Sequence, residues 1–322
     1  MTQSLSIARG SVVLSPMAGF SDSPFRLLCR KQGSALSVTE FVSTSQLFRG
    51  SLKAFSLLRY EEAERPIIFQ IFGEDPAIIL RAAKKILALG PDGLDVNMGC
   101  STRQVALRGA GAGLLREPRK VREIISSLVK ECQIPISAKI RLGWDATMRN
   151  YLEIGRILQE EGAWMVAVHG RTRDMQYRGQ ADWEAIGELA ACLKIPVFGN
   201  GDVVSFEDAQ EKIRTYGVYG VYIGRSAIGR PWIFRSYEPN LNEKRRIAWE
   251  HFCLMKNFYG ESATILFRKH WARYREHLDL NEEEQQEGEK LMTSTDLARW
   301  ENYLYLLHVC QSRSQNPFLC VS

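Results

Sequence analysis

The sequence predicts an α/β chain built as a TIM-type (β/α)8 barrel with a C-terminal all-helical domain, and three observations carry that prediction. Short apolar runs alternate with amphipathic segments about eight times, the pattern of a parallel sheet covered by helices. Nearly every run ends in polar residues or glycine, from Pro16-Met17-Ala18-Gly19 after the first to Gly224-Arg225 after the last. Such a ring of functional groups at strand carboxyl ends is where barrels of this type keep their active sites. After Pro231-Trp232-Ile233-Phe234 glycine nearly vanishes and long helical patterns take over. Periodicity by itself also allows a doubly wound sheet; the ring of strand-end groups favours the barrel.

The expected strands cover Val12–Leu14, Leu36–Thr39, Ile67–Ile71, Leu94–Val96, Ile136–Ile140, Met165–Val168, Val197–Phe198 and Val221–Ile223. Helical patterns lie between them near 23–32, 45–58, 76–89, 118–131, 149–161, 182–193 and 205–216. Asp75-Pro76 and Glu117-Pro118 put proline in a first turn, where its missing N–H costs nothing. Ser205, followed by Glu207 and Asp208, supplies an acceptor and negative charge at a helix start. Farther on, Phe267, Trp271, Tyr274 and Leu278 recur at helical spacing and predict one buried helix face. These patterns divide the chain into a barrel domain over 1–239 and a helical domain over 240–322.

With 322 residues, the chain can hold one barrel of about 250 residues and a smaller domain. Apolar residues make up 45 % and charged residues 25 %, values that support a sizeable core without disulfides or a structural metal. A formal charge of +5 permits a polyanionic partner without requiring one. The seven cysteines, at 29, 100, 132, 192, 253, 310 and 320, form no Cys-x-x-Cys and no close Cys/His pair. That argues against a disulfide framework and against a zinc site. The start lacks the pattern of a secretory leader, and no apolar run approaches the roughly 18 residues of a membrane span. A cytoplasmic protein is expected, with no membrane association, no metal and no stable protein partner.

Candidate chemistry gathers at the strand ends. Gly199-Asn200-Gly201-Asp202 follows the seventh strand and Gly224-Arg225-Ser226 the eighth. Glycines let backbone N–H groups approach an anion, and this pair of loops is the usual phosphate site of such barrels. A phosphate-bearing ligand is therefore predicted, either flavin mononucleotide or a sugar phosphate. Lys139 and Gln70 would reach inward from the fifth and third strands. A lysine beside the N1–O2 edge of a flavin stabilises the charge of the reduced ring, and a glutamine can hydrogen-bond its pyrimidine edge. The same lysine could instead form a Schiff base. His169 could donate to the phosphate, act as a base, or be a satisfied structural histidine. Cys100 lies in a glycine-flanked loop on the active-site face, and a thiol protonated at neutral pH can serve as a general acid. The other six cysteines read as structural or incidental.

Together these segments resemble the dihydrouridine synthases, in particular the bacterial B-type tRNA enzymes. The resemblance runs over almost the whole chain. It is carried by Ser15-Pro16-Met17-Ala18-Gly19-Phe20-Ser21-Asp22-Ser23-Pro24-Phe25-Arg26, Val38-Thr39-Glu40-Phe41-Val42-Ser43 and Asp95-Val96-Asn97-Met98-Gly99-Cys100. Lys139-Ile140-Arg141-Leu142-Gly143-Trp144, His169-Gly170-Arg171-Thr172-Arg173, Gly199-Asn200-Gly201-Asp202, Ile223-Gly224-Arg225 and Arg268-Lys269-His270 continue it. The resemblance implies FMN held by Pro16, Met17, Ala18, Gln70, Lys139, His169, Asn200, Gly201, Asp202, Gly224 and Arg225. It makes Cys100 the catalytic acid, with Asn97, Arg141 and Arg171 near the target base. The implied reaction is NADPH-driven reduction of uridine to 5,6-dihydrouridine in RNA, tRNA first among candidates. The target nucleotide must leave its stack to reach the flavin, and the helical domain would grip the RNA by shape and phosphate.

Two departures stand in the catalytic loop. The family usually has Gly-Cys-Pro with a lysine shortly after; here Ser101 replaces the proline, and Arg103-Gln104 keeps one basic group. Loss of the proline frees the backbone after Cys100 and leaves open a paralogue acting on ribosomal RNA. Two further readings compete: a small-molecule FMN oxidoreductase, which leaves the helical domain idle, and a non-catalytic RNA-binding protein with structural FMN. Lys244-Arg245-Arg246 and Arg268, Lys269, Arg273 and Arg275 are candidate phosphate-binding faces or solvated helix faces.

Overall fold

The computed structural model describes residues 5–314. Residues 1–4 and 315–322, with Cys320 among them, and the side chain of Cys310 lie outside this description. The chain divides into two compact units, one reaching Arg30 and resuming over Ser34–Gly224, the other formed by Lys31–Gly33 and the chain from Arg225 onward.

The first unit holds nine parallel strands: β1 Ser11–Leu14, β2 Ser37–Val38, β3 Val42–Ser43, β4 Ile67–Phe72, β5 Gly93–Met98, β6 Ile136–Arg141, β7 Met165–His169, β8 Val197–Asn200 and β9 Gly220–Ile223. They are ordered β1-β9-β8-β7-β6-β5-β4-β2, with the two-residue β3 beside the end of β4. The Ala35 N–H donates to the Val12 carbonyl at 2.9 Å and brings the start of β2 back to β1, nearly closing the barrel. Around it run α1 Ser23–Lys31, α2 Thr44–Phe48, α3 Leu52–Ser56, α4 Pro76–Leu87, α5 Arg103–Ala106, α6 Pro118–Cys132, α7 Tyr151–Glu160, α8 Trp183–Cys192 and α9 Phe206–Tyr216.

Local chemistry explains the helix starts. Asp75 Oδ1 accepts the N–H groups of Ala77 and Ile78, with Pro76 in the first turn, and Ser205 Oγ accepts from Asp208. The single helix expected over 45–58 is two: the chain breaks at Arg49-Gly50-Ser51, and the Ser51 hydroxyl accepts the Ala54 N–H to start α3 afresh. The short α5 and the 3-10 segment Gly111–Arg116 after β5 were not foreseen.

Val13, Leu36, Val38, Ile68, Met165, Ala167, Phe198 and Tyr222 pack in one buried cluster inside the barrel. Full burial of a large apolar side chain stabilises by about 1.5–3 kcal/mol, so this plug anchors the barrel floor. Two residues further along the same strands come Gln70, His169 and Asn200, which alternation aims the same way. A dry layer thus lies below a polar one.

The second unit is helical, with α10 Leu241–Tyr259, α11 Ala263–Leu266, α12 Arg268–Tyr274, α13 Glu282–Leu291 and α14 Leu297–Ser314. Trp232, Phe252, Phe267, Trp271, Tyr274 and Trp300 form its aromatic interior. Gly288 lets α13 approach closely, since a Cβ there would lie 2.8 Å from the Tyr303 hydroxyl and 3.1 Å from the Trp271 ring. The stripe Phe267, Trp271, Tyr274 and Leu278 is wholly buried, but α12 ends at Tyr274 and Leu278 lies beyond it. Among the described residues no helix is long and apolar enough to cross a membrane.

Candidate active site

Three neighbouring strands put polar side chains at one level. Gln70 of β4 pairs in register with Asp95 of β5, and Asp95 with Ser137 of β6. Gln70 Nε2 donates to Asp95 Oδ2 at 2.7 Å, and Ser137 Oγ donates to Asp95 Oδ1 at 2.6 Å. One pleat further along β5, Asn97 Nδ2 donates to Gln70 Oε1 at 2.9 Å. Asn97 Oδ1 in turn accepts the backbone N–H groups of Gly99 at 3.1 Å and Cys100 at 2.9 Å. Burial pushes the Asp95 carboxyl up to about 6, against the pull of its Ser137 and Gln70 bonds and the Lys139 charge. Asp95 opens the motif Asp95-Val96-Asn97-Met98-Gly99-Cys100 but has no role assigned there; its further signal is a lone carboxylate in the strand Gly93–Met98, two residues before Asn97.

Lys139 is half-buried while every other residue of β6 is buried, so the barrel is open at this side chain. Its Nζ donates to Asn200 Oδ1 at 2.9 Å, and Asn200 Nδ2 donates to the Tyr222 carbonyl at 2.9 Å. Burial and then the Arg141 charge push the ammonium down to about 8, with Asp95 opposing. Next to Asn200, Gly201 has φ +128°, and a Cβ there would lie 2.6 Å from Ala181 Cβ and 3.0 Å from His169 Cδ2. Asp202 Oδ2 accepts from Arg171 Nη2 at 2.6 Å and from the Ala181 N–H at 2.8 Å. Arg171 is 1 % exposed and also donates to the Arg178 and Gly179 carbonyls, so its guanidinium braces the loop 171–179. Its Nη1 lies 3.3 Å from His169 Nε2.

The loop bearing Cys100 is held from two sides, by Asn97 and by the Ala112 N–H, which donates to the Cys100 carbonyl at 3.1 Å. Cys100 Sγ donates to Thr102 Oγ1 at 3.4 Å, and the residue is half-buried. Arg141 Nε donates to the Gly99 carbonyl at 2.8 Å and Nη1 to the carbonyls of Thr172 and Gln176 at 2.9 Å. Burial brings its guanidinium down to about 10. After β1, Pro16 and Met17 are half-buried and Ala18 is exposed; the Met17 N–H donates to Ser21 Oγ at 2.8 Å, and the Gly19 N–H donates to the Glu40 carboxylate. Gly224 faces Met17, where a Cβ would lie 3.6 Å from the sulfur, and exposed Arg225 opens a 3-10 turn. The structure thus links Gln70, Asn97 and Cys100 by direct bonds, ties Arg141 to the same loop through the Gly99 carbonyl, joins Lys139 to Asn200, and groups His169 with Arg171, Gly201 and Asp202.

Two arginines flank Trp144, with the Arg116 and Arg173 guanidinium carbons 4.8 and 4.5 Å from the ring centre. Neither forms an ion pair among the described residues, and Arg173 Nε is buried without a hydrogen-bond partner. Only Trp144 and Arg173 fall within the motifs quoted above. In the second unit one candidate phosphate contact is excluded. Arg245 is buried, donates to both carboxylate oxygens of Glu284 at 2.9 Å, and donates to the Leu278 and Asp279 carbonyls. Its neighbours Lys244 and Arg246 stay nearer the surface, Lys244 paired with Glu238 and Arg246 near Glu250.

A parallel (β/α)8 barrel with a lysine, three carboxamides and a cysteine gathered at its strand ends defines a barrel enzyme whose reactive groups stand on its carboxyl-terminal face. The family model for dihydrouridine synthase matches residues 13–304, nearly the whole chain. The chain belongs to the dihydrouridine synthase family. It is 39 % identical over 279 residues to a tRNA-dihydrouridine synthase B from Pseudomonas putida, covering 83 % of this chain and 82 % of that protein. It is 38 % identical over 273 residues to a probable tRNA-dihydrouridine synthase from Rhizobium leguminosarum, covering 83 % and 86 %. Among solved structures, histamine dehydrogenase from Rhizobium sp. 4-9 shares the fold, with a TM-score of 0.53 at 11 % identity over 84 % of this chain and 50 % of that one.

Proposed function

We propose that this chain reduces uridine to 5,6-dihydrouridine in tRNA, with FMN seated at the strand ends, NADPH as reductant and Cys100 as the proton donor. The observation that carries the reading is the placement of Cys100, held through Asn97 on the strand whose Asn97 pairs in register with the half-open Lys139. The donor set fits a flavin nucleotide. Gly201 has no room for a Cβ beside Ala181 and His169, and its N–H with those of Asp202, Gly224 and Arg225 would serve the phosphate, beside His169. Lys139 would face the N1–O2 edge, Pro16, Met17 and Ala18 would line the ring from the β1 loop, and Gln70 retains one N–H and one lone pair after its bonds to Asp95 and Asn97. A flavin bound there and reduced by NADPH would supply the hydride that C6 of uracil takes up.

The chain's own groups do the rest. Cys100 gives its proton to C5 as the double bond saturates, and Asn97 and Arg141 orient the pyrimidine, Arg141 through the edge its three carbonyl bonds leave over. Arg171 keeps the loop beyond the base in place. The nucleotide is flipped out of its RNA to enter. The Arg116–Trp144–Arg173 group offers phosphate and stacking contacts on the barrel, and the helical domain from 240 grips the folded RNA by shape. The barrel domain, 1–239, carries FMN, and the enzyme works in the cytoplasm. Comparing dihydrouridine in tRNA and in ribosomal RNA from cells with and without this gene tests the substrate. Loss confined to tRNA is expected, and loss confined to ribosomal RNA overturns that assignment. Cys100→Ala should keep its flavin and lose about 100-fold in product formation. Undiminished turnover removes Cys100 from its role.

A further inference from the structure

We infer that Asp95 is the positioning residue for Cys100, acting through a one-way relay of hydrogen bonds that runs Asp95, Gln70, Asn97, Cys100. The relay takes Cys100 as the proton donor from the proposed function above. Its direction follows from the chemistry at its two ends. At the floor, an ionised carboxylate can only accept, so the Gln70 amide must turn its NH2 toward Asp95, at 2.7 Å, and its oxygen away. That oxygen then takes the Asn97 NH2 at 2.9 Å. The Asn97 oxygen is thereby turned to the Gly99 and Cys100 N–H groups, which can only donate. Reversing either amide would set oxygen against carboxylate at one end or NH2 against N–H at the other. A single orientation satisfies every member.

Ser101, not a proline, follows Cys100, and the loop is held by the Asn97 side chain and by the Ala112 N–H. Asp95 is itself anchored by the Ser137 hydroxyl at 2.6 Å and is almost entirely buried. It positions and does not touch substrate.

The test reads Cys100 directly, without turnover. Iodoacetamide alkylation of Cys100, followed by mass spectrometry on the full-length protein with and without FMN, should speed up roughly fivefold in Asp95→Ala, the equivalent of one lost hydrogen bond, and by a similar factor in Asn97→Ala. Asp95→Ala combined with Asn97→Ala should alkylate no faster than either alone, because one relay is cut once. Asp95→Asn should stay within about twofold of the parent protein, since its NH2 can donate to Ser137 and leave its oxygen for Gln70. Should Asp95→Ala not fold, Gln70→Met cuts the same relay one bond further on and should give the same rise. Parent-like alkylation in these variants beside a faster Asn97→Ala, or fully multiplicative effects in the double variant, overturns the relay. Failure of Cys100 as proton donor shows separately, as undiminished turnover in Cys100→Ala.

Discussion

A carboxylate in a barrel wall costs free energy unless donors surround it, and Asp95 shows both the cost and its offset. Ser137 and Gln70 each give it a short bond, yet burial still lifts it to about 6, above the roughly 3.9 of an unfolded aspartate. A folded value raised above the unfolded one means the fold disfavours the ionised form. The contribution of Asp95 to stability is therefore fully present below about pH 4, is lost as pH rises through the window from about 4 to 6, and levels off above it. The two-unit shift corresponds to about 3 kcal/mol. Asp95→Asn cannot ionise, so urea unfolding between pH 4 and 7 should lose this downward limb. An unchanged limb in the variant would assign the titration to another group. At neutral pH Asp95 is mostly ionised, the acceptor-only state that the Gln70 amide orientation requires.

Between elements, the same contrast of partnered and unpartnered charge separates structure from binding. Arg245 on α10 is locked to Glu284 on α13, and Glu284 also accepts the Asn281 N–H that caps α13. Removing the cation strands this carboxylate and two carbonyls, so Arg245→Ala should lower stability by about 3 kcal/mol in denaturant unfolding. A change under about 0.5 kcal/mol would return Arg245 to the solvated surface. Within Lys244-Arg245-Arg246 nothing marks the buried member, because its partner lies 39 positions later in the chain. The break between α2 and α3 was equally hidden, since apolar periodicity continues across Arg49-Gly50-Ser51 and only the Ser51 cap restarts it. Caps with a local cause, Asp75 and Ser205, could be read directly.

Across the whole molecule, strand order and the polar face were legible because each rests on a short-range pattern repeated along the chain. All eight expected strands appear, and the one omitted is the two-residue β3, too short for any period. Gln70, Asn97, Cys100, Lys139, Arg141 and Asn200 stood out as polar groups at strand ends. Asp95 did not, because its meaning comes from register, with Gln70 and Ser137 opposite it on two other strands. Arg116 escaped for a similar reason, as only folding brings it to Trp144. The proposed activity stands on one event, the passage of electrons from a bound flavin to a uridine in RNA. Purified protein, loaded with FMN and reduced by NADPH without oxygen, is mixed with tRNA that lacks dihydrouridine while the flavin absorbance is followed. A yellow protein, prompt reoxidation and one dihydrouridine formed per flavin are expected; a colourless protein that takes up no FMN, or a reduced flavin that the tRNA leaves unchanged, overturns the proposed function.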